Sequence, residues 1–461
     1  MNQRNTSSTV KNARITVVVL ASVLSILLLL FAFISLFKQE GVSDKEEILA
    51  KIDTVLEDKR CYSVADYLTK FGIDGFNKTK FTTVEQYFSV YCAAEMPSVE
   101  EMARETALLF CEHLYDETDK DNGEELTDAL LYCYVKATGD DYAVYRTKSE
   151  YDNFNTDMSG SFVGIGVSVI YDRTLNTVTV QEAFADSPAM AVGILPGDII
   201  HAVNGQSLNE IDYYTMVNNI KGEEGTTVEI TLIRNGETIV VTPTRAKITE
   251  TSVSYSINND TKIGYIRISS FKDNTPTQFV EAMNYISENG AVGVIFDLRD
   301  NPGGYLHSVV NILSLLVPKD TPVVSYKYAF ETEDTVITSA YDGHLDIPCV
   351  VIANGQTASA GEIFTSAMKD YNDMGLLEAT VVGETTYGKG IMQSTIEVRY
   401  GYPATVSDGS TLTLTTAYYN PPRSPNYHGI GVEPDTKIEE ADEGSLWLDN
   451  AEEALRALLE N

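Results

Sequence analysis

The sequence predicts a multidomain α+β protein that begins with one apolar helix. Three observations indicate this class. The chain has 461 residues, more than one hydrophobic core usually holds. Helical periodicity in the first third gives way to short alternating strands, and the remainder mixes apolar strands with amphipathic helices. We predict a cytoplasmic tail, a transmembrane anchor, a helical domain, a β-rich domain and a mixed α/β domain with a C-terminal helix. The corresponding ranges are 1–14, 15–37, 38–157, 158–247 and 248–461.

The apolar segment Ile15 to Phe37 contains no charged residue, and its length suffices to cross a hydrocarbon core. Arg4, Lys11 and Arg14 precede it and acidic residues follow it, so the positive-inside rule places the N-terminus in the cytoplasm. We expect a single-pass protein of the cell membrane, with the chain after about residue 38 outside the cytoplasm. A cleaved signal peptide is the alternative, although the apolar run exceeds a normal signal core and no small-x-small cleavage site is obvious.

The amino-acid composition of the chain limits which binding partners are expected. The chain carries 67 acidic against 33 basic residues, a formal net charge of −34. Nucleic acid is therefore not an expected partner, because phosphate binding needs basic clusters. The odd number of cysteines forbids complete intramolecular pairing, and the sequence leaves disulfides and free buried thiols open. These cysteines are Cys61, Cys92, Cys111, Cys133 and Cys349. Their spacing indicates no metal site, and we expect no cofactor.

Residues 45 to about 135 show helical periodicity, as at Ile48, Ile52 and Leu56, and predict a helical domain. The pattern does not determine whether this domain binds an activating partner or forms a homodimer.

From Phe162 to about Lys247, short alternating strands are separated by glycine-containing turns, which predicts a small β-rich domain. Its ordered motifs resemble those of a PDZ domain, from Gly164-Ile-Gly166 through Leu195-Pro-Gly-Asp198 to Gly222-Glu-Glu-Gly225. The resemblance implies that the backbone amides of Gly164, Ile165 and Gly166 hold the terminal carboxylate of a peptide that adds as a strand.

Ser359 stands where a predicted strand, Cys349 to Ala353, turns into a predicted helix. Backbone N–H groups are unpaired at a helix N-terminus, and the helix dipole favours negative charge there. An oxyanion on an attacked carbonyl could therefore be held beside this serine. The competing interpretation is a serine that only caps the helix.

Lys389 offers a base for Ser359. Gly388 and Gly390 flank it, and the strand Ala379 to Gly383 before it would bury its stem. Burial disfavours the ammonium form, and a neutral lysine can take the hydroxyl proton. Gln393 has an amide oxygen that could direct the amine. The five histidines of the chain lie in no comparable turn, and we expect His307 to be a surface residue of the helix that follows Gly304.

The strand ending at Asp297 leads into the turn Asn301-Pro-Gly-Gly304, whose glycines permit unusual φ values and leave the backbone accessible. An ordinary strand-to-helix turn is the alternative.

These three segments together resemble the carboxy-terminal processing peptidases, also called tail-specific proteases, which are PDZ-containing Ser-Lys serine peptidases. The motifs are Ala358-Ser-Ala360 followed by Glu362, Thr386-Tyr-Gly-Lys-Gly390 followed by Gln393, and Asp297-x-Arg-x-Asn-x-Gly-Gly304. The resemblance covers about residues 140 to 460. It implies Ser359 as nucleophile, Lys389 as base and Gln393 as its orienting residue. The oxyanion donors it implies are the amides of Ala360 and of either Gly303 or Gly304.

We therefore predict a membrane-anchored extracytoplasmic serine endopeptidase. It would recognise the C-terminal tails of protein or peptide substrates through its PDZ domain and cleave upstream by a Ser-Lys mechanism. One alternative is a catalytically idle PDZ-containing scaffold, which the presence of all three catalytic residues disfavours. Another is an esterase or amidase with the same dyad, which leaves the PDZ domain unexplained.

Overall fold

The computed structural model describes residues 45–56, 61–172, 175–211, 213–438 and 445–460. The predicted anchor at 15–37 and the tail before it lie outside these residues. Within the described ranges, no helix is both long and apolar enough to cross a bilayer. The described chain forms two compact units. The first comprises the described part of Met1–Ser89 with Glu95–Tyr145 and Val398–Ser407, and the second comprises the rest.

The first unit is helical, as the periodicity predicts. Its elements are α1 (Lys45–Leu56), α2 (Val64–Phe71), α3 (Lys78–Tyr91), α4 (Val99–Leu109), a π-helical turn (Phe110–Leu114) and α5 (Gly123–Ala137). Aromatic side chains fill its core, among them Tyr67, Phe71, Phe81, Phe88 and Tyr134. Ser98 begins α4 with a capping box, in which Glu101 bonds back to the backbone of Ser98.

Glu85 on α3 is a partly buried acid in this unit. Its Oε1 accepts a 2.6 Å hydrogen bond from the backbone N–H of Val64. Burial outweighs this bond and raises the pKa of the Glu85 carboxyl from 4.5 to about 7.

The second unit opens with a short strand and a helix, followed by a β-rich domain. The bounds are β1 (Val144–Arg146, which begins in the first unit), α6 (Lys148–Ser159), β2 (Ser161–Gly164), β3 (Val167–Asp172), β4 (Thr177–Ala183), α7 (Pro188–Ala191), β5 (Ile199–Val203), β6 (Gln206–Ser207), α8 (Tyr213–Ile220), β7 (Ile230–Arg234), β8 (Glu237–Val241) and β9 (Ala246–Thr249). One sheet has the order β3-β4-β5-β7-β8, with β6 beside β5, and β2 pairs separately with β9. Strand β3 is thus an edge strand.

The remaining chain builds a mixed α/β domain. Its elements are β10 (Val253–Ile257), β11 (Ile263–Ile268), α9 (Thr275–Glu288), β12 (Gly293–Asp297), α10 (Leu306–Ser314), β13 (Pro322–Tyr328), β14 (Thr335–Thr338), β15 (Cys349–Ala353), α11 (Ala360–Asp373), β16 (Ala379–Gly383), β17 (Ile391–Glu397), β18 (Thr411–Asn420), β19 (Thr436–Lys437) and α12 (Ser445–Leu459). The predicted multidomain α+β class is therefore confirmed for the described residues.

The central sheet of this domain has the order β10-β11-β12-β15-β16-β19, and every pair after β10-β11 is parallel. Apolar side chains cover both of its faces: Phe296 and Val351 pack with α11 residues such as Phe364, whereas Ile295 and Ile352 pack towards Leu455 on α12. A sheet buried on both faces needs continuous apolar strands, which explains the run from Cys349 to Ala353. Cys349 is fully buried in this run, where its thiol packs as a small apolar side chain.

The parallel order brings three turns to one edge of the sheet. The turns after the adjacent strands β12, β15 and β16 contain Gly303, Ser359 and Lys389 respectively. Carboxyl ends of neighbouring parallel strands open on the same side, which is where open α/β sheets bind ligands. Segments that are distant in sequence therefore meet here.

Candidate active site

Ser359 is the residue at which β15 and its loop become helix α11. Its backbone has φ 53° and ψ −118°, a conformation that residues with a side chain rarely adopt. Such a conformation costs on the order of 1–3 kcal/mol and persists only where the surroundings enforce it. Here the backbone N–H of Ser359 donates a 2.9 Å hydrogen bond to Oε2 of Glu362 on the first turn of α11.

Lys389 lies in the turn between β16 and β17, half-buried. Its Nζ donates a 2.7 Å hydrogen bond to Oε1 of Gln393, so the structure brings together these two predicted residues. Gln393 follows a register shift between Met392 and Gln393 in the pairing of β17 with β18. Bulges of this kind redirect side chains beside functional sites. The backbone carbonyl of Lys389 accepts a 2.9 Å bond from the hydroxyl of Tyr419.

Glu362 joins the nucleophile segment to the lysine segment, a role that sequence reasoning did not assign. Its carboxylate is fully buried and accepts four hydrogen bonds. Oε2 accepts from the backbone N–H groups of Ser359 at 2.9 Å and Lys389 at 2.7 Å. Oε1 accepts from the Thr386 hydroxyl and the Gly388 N–H, both at 2.6 Å. The acid three residues after Ser359 is the sequence signal, since it matches a capping box.

The turn after β12 packs closely against Ser359. A Cβ on Gly303 would lie 2.7 Å from Cβ of Ser359 and 2.9 Å from the backbone nitrogen of Ala360, so only glycine fits there. The N–H of Gly303 donates a 2.8 Å bond to Oδ1 of Asn301, which is itself fully buried. The carbonyl of Asn301 in turn accepts a 2.9 Å bond from the N–H of Ala358. Asn301 therefore links the two turns, a second role that the motif alone did not reveal.

A buried ion pair holds the end of β12. Asp297 is fully buried and accepts hydrogen bonds from Arg299, the shortest at 2.6 Å, and from the hydroxyl of Tyr265 at 2.6 Å. Burial alone would raise the pKa of the Asp297 carboxyl, but these hydrogen bonds hold it below its ordinary value. Burial, with the bond to Asp297, raises the pKa of Tyr265 to about 12.

A cavity of about 380 Å³ opens over these turns. Its lining includes Gly304, Ser359, Ala360 and Gln393, together with apolar and aromatic groups. His307 also lines it and contacts Oδ1 of Asp273 through Nε2 at 2.7 Å. His307 is a surface residue of α10, as expected, with a side chain that is 58% exposed, and it also faces the cavity of Ser359. The hydroxyl of Ser359, the helix N-terminus at Ala360 and the Gln393 amide that binds the Lys389 amine line one cavity, and groups of these kinds can support acyl transfer.

A second cavity, of about 410 Å³, lies in the β-rich domain along β3 and α8. Ile165 and Gly166 of the predicted tail-binding loop line it, whereas Gly164 ends β2 and is buried. The carbonyls of Ile165 and Gly166 accept bonds from the N–H groups of Ala189 and Phe184, at 2.8 and 3.0 Å. Both carbonyls thus bond within the domain.

In the described ranges, no group of three or more His, Cys, Asp or Glu side chains could hold a metal ion. None of the five cysteines, all of which lie in the described ranges, forms a disulfide.

Comparison with known proteins identifies two matching family models. The model described as peptidase family S41 matches residues 262–438, and the model described as PDZ domain matches residues 161–242.

The chain also resembles curated proteins of staphylococci. It is 35% identical over 333 residues to a probable CtpA-like serine protease of Staphylococcus saprophyticus, a match covering 71% of this chain and 64% of the relative. A protein of the same description from Staphylococcus aureus strain MRSA252 is 33% identical over 321 residues, covering 69% of this chain and 61% of the relative. The chain thus spans less than two thirds of the length of these relatives.

Two solved structures are similar in part. A photosystem II D1 C-terminal processing protease shares 23% identity with a TM-score of 0.44, covering 78% of this chain and 92% of that chain. The PDZ domain of a carboxy-terminal protease from Vibrio cholerae, solved in complex with a peptide, shares 25% identity with a TM-score of 0.17. That match covers 19% of this chain and 97% of the domain.

Proposed function

This chain belongs to peptidase family S41, and on that premise we propose that it is a membrane-anchored, extracytoplasmic serine endopeptidase with a Ser-Lys mechanism. It recognises the C-terminal tail of a protein substrate through its PDZ domain and cleaves a peptide bond upstream. One observation carries the proposal. The carboxylate of Glu362 binds the backbone N–H groups of Ser359 and of Lys389 through the same oxygen, so the two segments that carry the proposed nucleophile and base are tied together.

The first half of the reaction forms an acyl-enzyme. The hydroxyl oxygen of Ser359 attacks the scissile carbonyl carbon while its proton passes to the neutral amine of Lys389. The Oε1 of Gln393 accepts an N–H of that amine and thereby directs its lone pair. The resulting ammonium then gives the proton to the leaving amine as the C–N bond breaks.

The second half restores the enzyme. Lys389 takes a proton from a water molecule whose oxygen attacks the ester carbonyl, and returns that proton to the oxygen of Ser359 as the acid product leaves. In both halves the carbonyl oxygen carries negative charge that backbone amides stabilise. We assign this role to Ala360 and Gly304, since Gly304 lines the cavity whereas the Gly303 amide is bonded to Asn301.

The membrane anchor and the orientation are proposed from the uncharged segment at 15–37 and the basic residues before it. The tail-binding function is supported by the edge strand β3 and by the cavity that Ile165 and Gly166 line. A peptide can add to a free strand edge, and backbone amides at its end can bind the terminal carboxylate.

The test is peptide cleavage by the full-length chain beside its Ser359→Ala and Lys389→Ala variants, with products identified by mass spectrometry. Each variant should lose cleavage, and the double variant should be no worse than either single one, because nucleophile and base act together. Thermal unfolding checks that the variants stay folded. Cleavage that survives Lys389→Ala would exclude lysine as the base, and cleavage that survives Ser359→Ala would exclude the serine mechanism.

The pH profile gives an independent test. A lysine base works only as the free amine, which in an ordinary lysine forms near pH 10.4. We therefore expect kcat/KM to rise with pH on the alkaline side. A flat profile between about pH 6 and 9, with chemistry limiting, would contradict a lysine base.

A further inference from the structure

The cavity along β3 is not built by the PDZ domain alone. Its inner wall is apolar and includes Ile165, Val167 and Val169. Other lining residues come from outside the segment that matches the PDZ model: Asp157 lies on α6, and Glu250 and Lys272 lie beyond β9.

Four charged side chains line this cavity, and they form two pairs, each of one lysine and one acidic residue. The ammonium of Lys272 contacts a carboxylate oxygen of Glu250 directly. The ammonium of Lys221, just past α8, lies 3.9 Å from Oδ1 of Asp157. The lysine side chains are only 20% and 22% exposed, so both ammonium groups are partly withdrawn from water beside an apolar wall. Charge interactions strengthen as solvent screening falls.

The peptidase domain fixes the position of Lys272. Its neighbour Phe271 donates a 2.8 Å backbone bond to the carbonyl of Gly303 and accepts a 2.7 Å bond from the N–H of Tyr305. The N–H of Lys272 itself donates a 2.8 Å bond to the hydroxyl of Thr275 at the start of α9. Lys272 therefore follows directly on the residue that pairs with the turn beside Ser359.

We propose that Lys272, supplied by the peptidase domain, binds the terminal carboxylate of the substrate tail in the PDZ groove. The inference rests on the proposed tail-binding function. A tail lying along the free edge of β3 with its end at Gly166 places its carboxylate among the loop amides. Lys221 and Lys272 line the same groove as Gly166. An ammonium group has three donors, so Lys272 can bind a tail carboxylate while Glu250 competes for it. The apolar wall fits a tail whose last side chain is apolar.

Because Glu250 and the tail carboxylate compete for Lys272, substitutions of Lys272 and Glu250 should change tail affinity in opposite directions. Lys272→Gln should weaken binding of a tail with a free carboxylate about tenfold, since it removes one charge-assisted hydrogen bond. Glu250→Gln should strengthen binding of the same tail, because it removes an anion that occupies Lys272 and repels the ligand. Neither change should alter binding of the tail amide, which carries no charge.

The experiment measures the affinity of a fluorescent peptide of about ten residues ending in valine, and of its C-terminal amide. The protein is the full-length chain carrying Ser359→Ala, so that the peptide is not cut. Lys272→Arg, which keeps the charge, should restore most of the affinity. Lys437→Gln is the matched control, because Lys437 also pairs with a glutamate, at 3.4 Å, but does not line the cavity. Thermal unfolding confirms that each variant is folded.

Two results would overturn the proposal. One of them leaves the proposed tail recognition intact, and the other contradicts it as well. If the parent protein prefers the acid over the amide and Lys272→Gln keeps that preference, the PDZ domain alone holds the carboxylate. Lys221→Gln would then be the variant that loses the preference. If the parent protein binds acid and amide equally, tail recognition itself is wrong. Cleavage and its loss in Ser359→Ala remain a separate measure of the peptidase function.

Discussion

Replacing Glu362 by glutamine tests the geometry of the candidate site most directly. The carboxylate accepts four hydrogen bonds, two on each oxygen. Glutamine keeps one acceptor oxygen and places an NH₂ group, a donor, against the other two donors. Two charge-assisted bonds worth about 1.5–3 kcal/mol each are lost, partly offset because a neutral amide is less costly to bury. We expect a net destabilisation of about 3 kcal/mol.

The Glu362→Gln variant should lose more activity than its lower content of folded protein explains. Either rotamer of the glutamine releases two of the donors that hold Ser359 and the Lys389 turn, and a displacement of about 1 Å in an active site can cost a hundredfold. At temperatures where the variant is folded, we expect kcat/KM to fall about a hundredfold, mainly through a lower kcat. Labelling of Ser359 by a fluorophosphonate should slow in parallel, because it reports the same alignment.

Glu433→Gln is the matched control for this substitution. The Glu433 side chain is 68% exposed and pairs with Lys437, so the Glu433→Gln variant should keep both stability and activity. A Glu362→Gln protein with normal kcat/KM and a normal unfolding midpoint would refute the role assigned to this carboxylate.

Three further substitutions test other parts of the structure. His307→Ala should change kcat/KM less than tenfold, since His307 lines the cavity but is not the proposed base; a loss as large as that of Lys389→Ala would transfer the base role to His307. Gly303→Ala should abolish cleavage, because its methyl group would collide with Ser359, and crystallography of the variant should show the nucleophile turn displaced. Glu85→Gln should stabilise the protein by up to about 3 kcal/mol at pH 7. The raised pKa of about 7 in the folded state means that Glu85 favours folding below pH 4.5 and loses that contribution as the pH rises through 7. Denaturant unfolding at pH 4 and pH 7 should therefore show a gain at the higher pH only, and an equal gain at both would contradict the assigned ionisation.

The sequence by itself was sufficient to predict the local features of this protein. Apolar runs with branched residues indicated the strand from Cys349 to Ala353, and helical spacing indicated the helix that begins after Ser359. Glycines marked the turns that carry Gly303 and Lys389. These features are readable because backbone preferences and hydrophobic periodicity depend on neighbours within a few residues. The interaction of Lys389 with Gln393 belongs to the same class, since the two lie four positions apart.

The tertiary structure alone decided which of these turns meet and what holds them together. The parallel order of β12, β15 and β16 brings Gly303, Ser359 and Lys389 to one sheet edge, and strand order is not encoded in the periodicity of any single strand. The role of Glu362 depends on donors that lie beyond its own helix, so its local pattern indicated no more than a helix cap. Lys272 likewise becomes a candidate ligand only because the fold places the start of the peptidase domain beside the PDZ groove. Contacts of this kind depend on how separate segments pack, which hydrophobic burial across the whole unit determines.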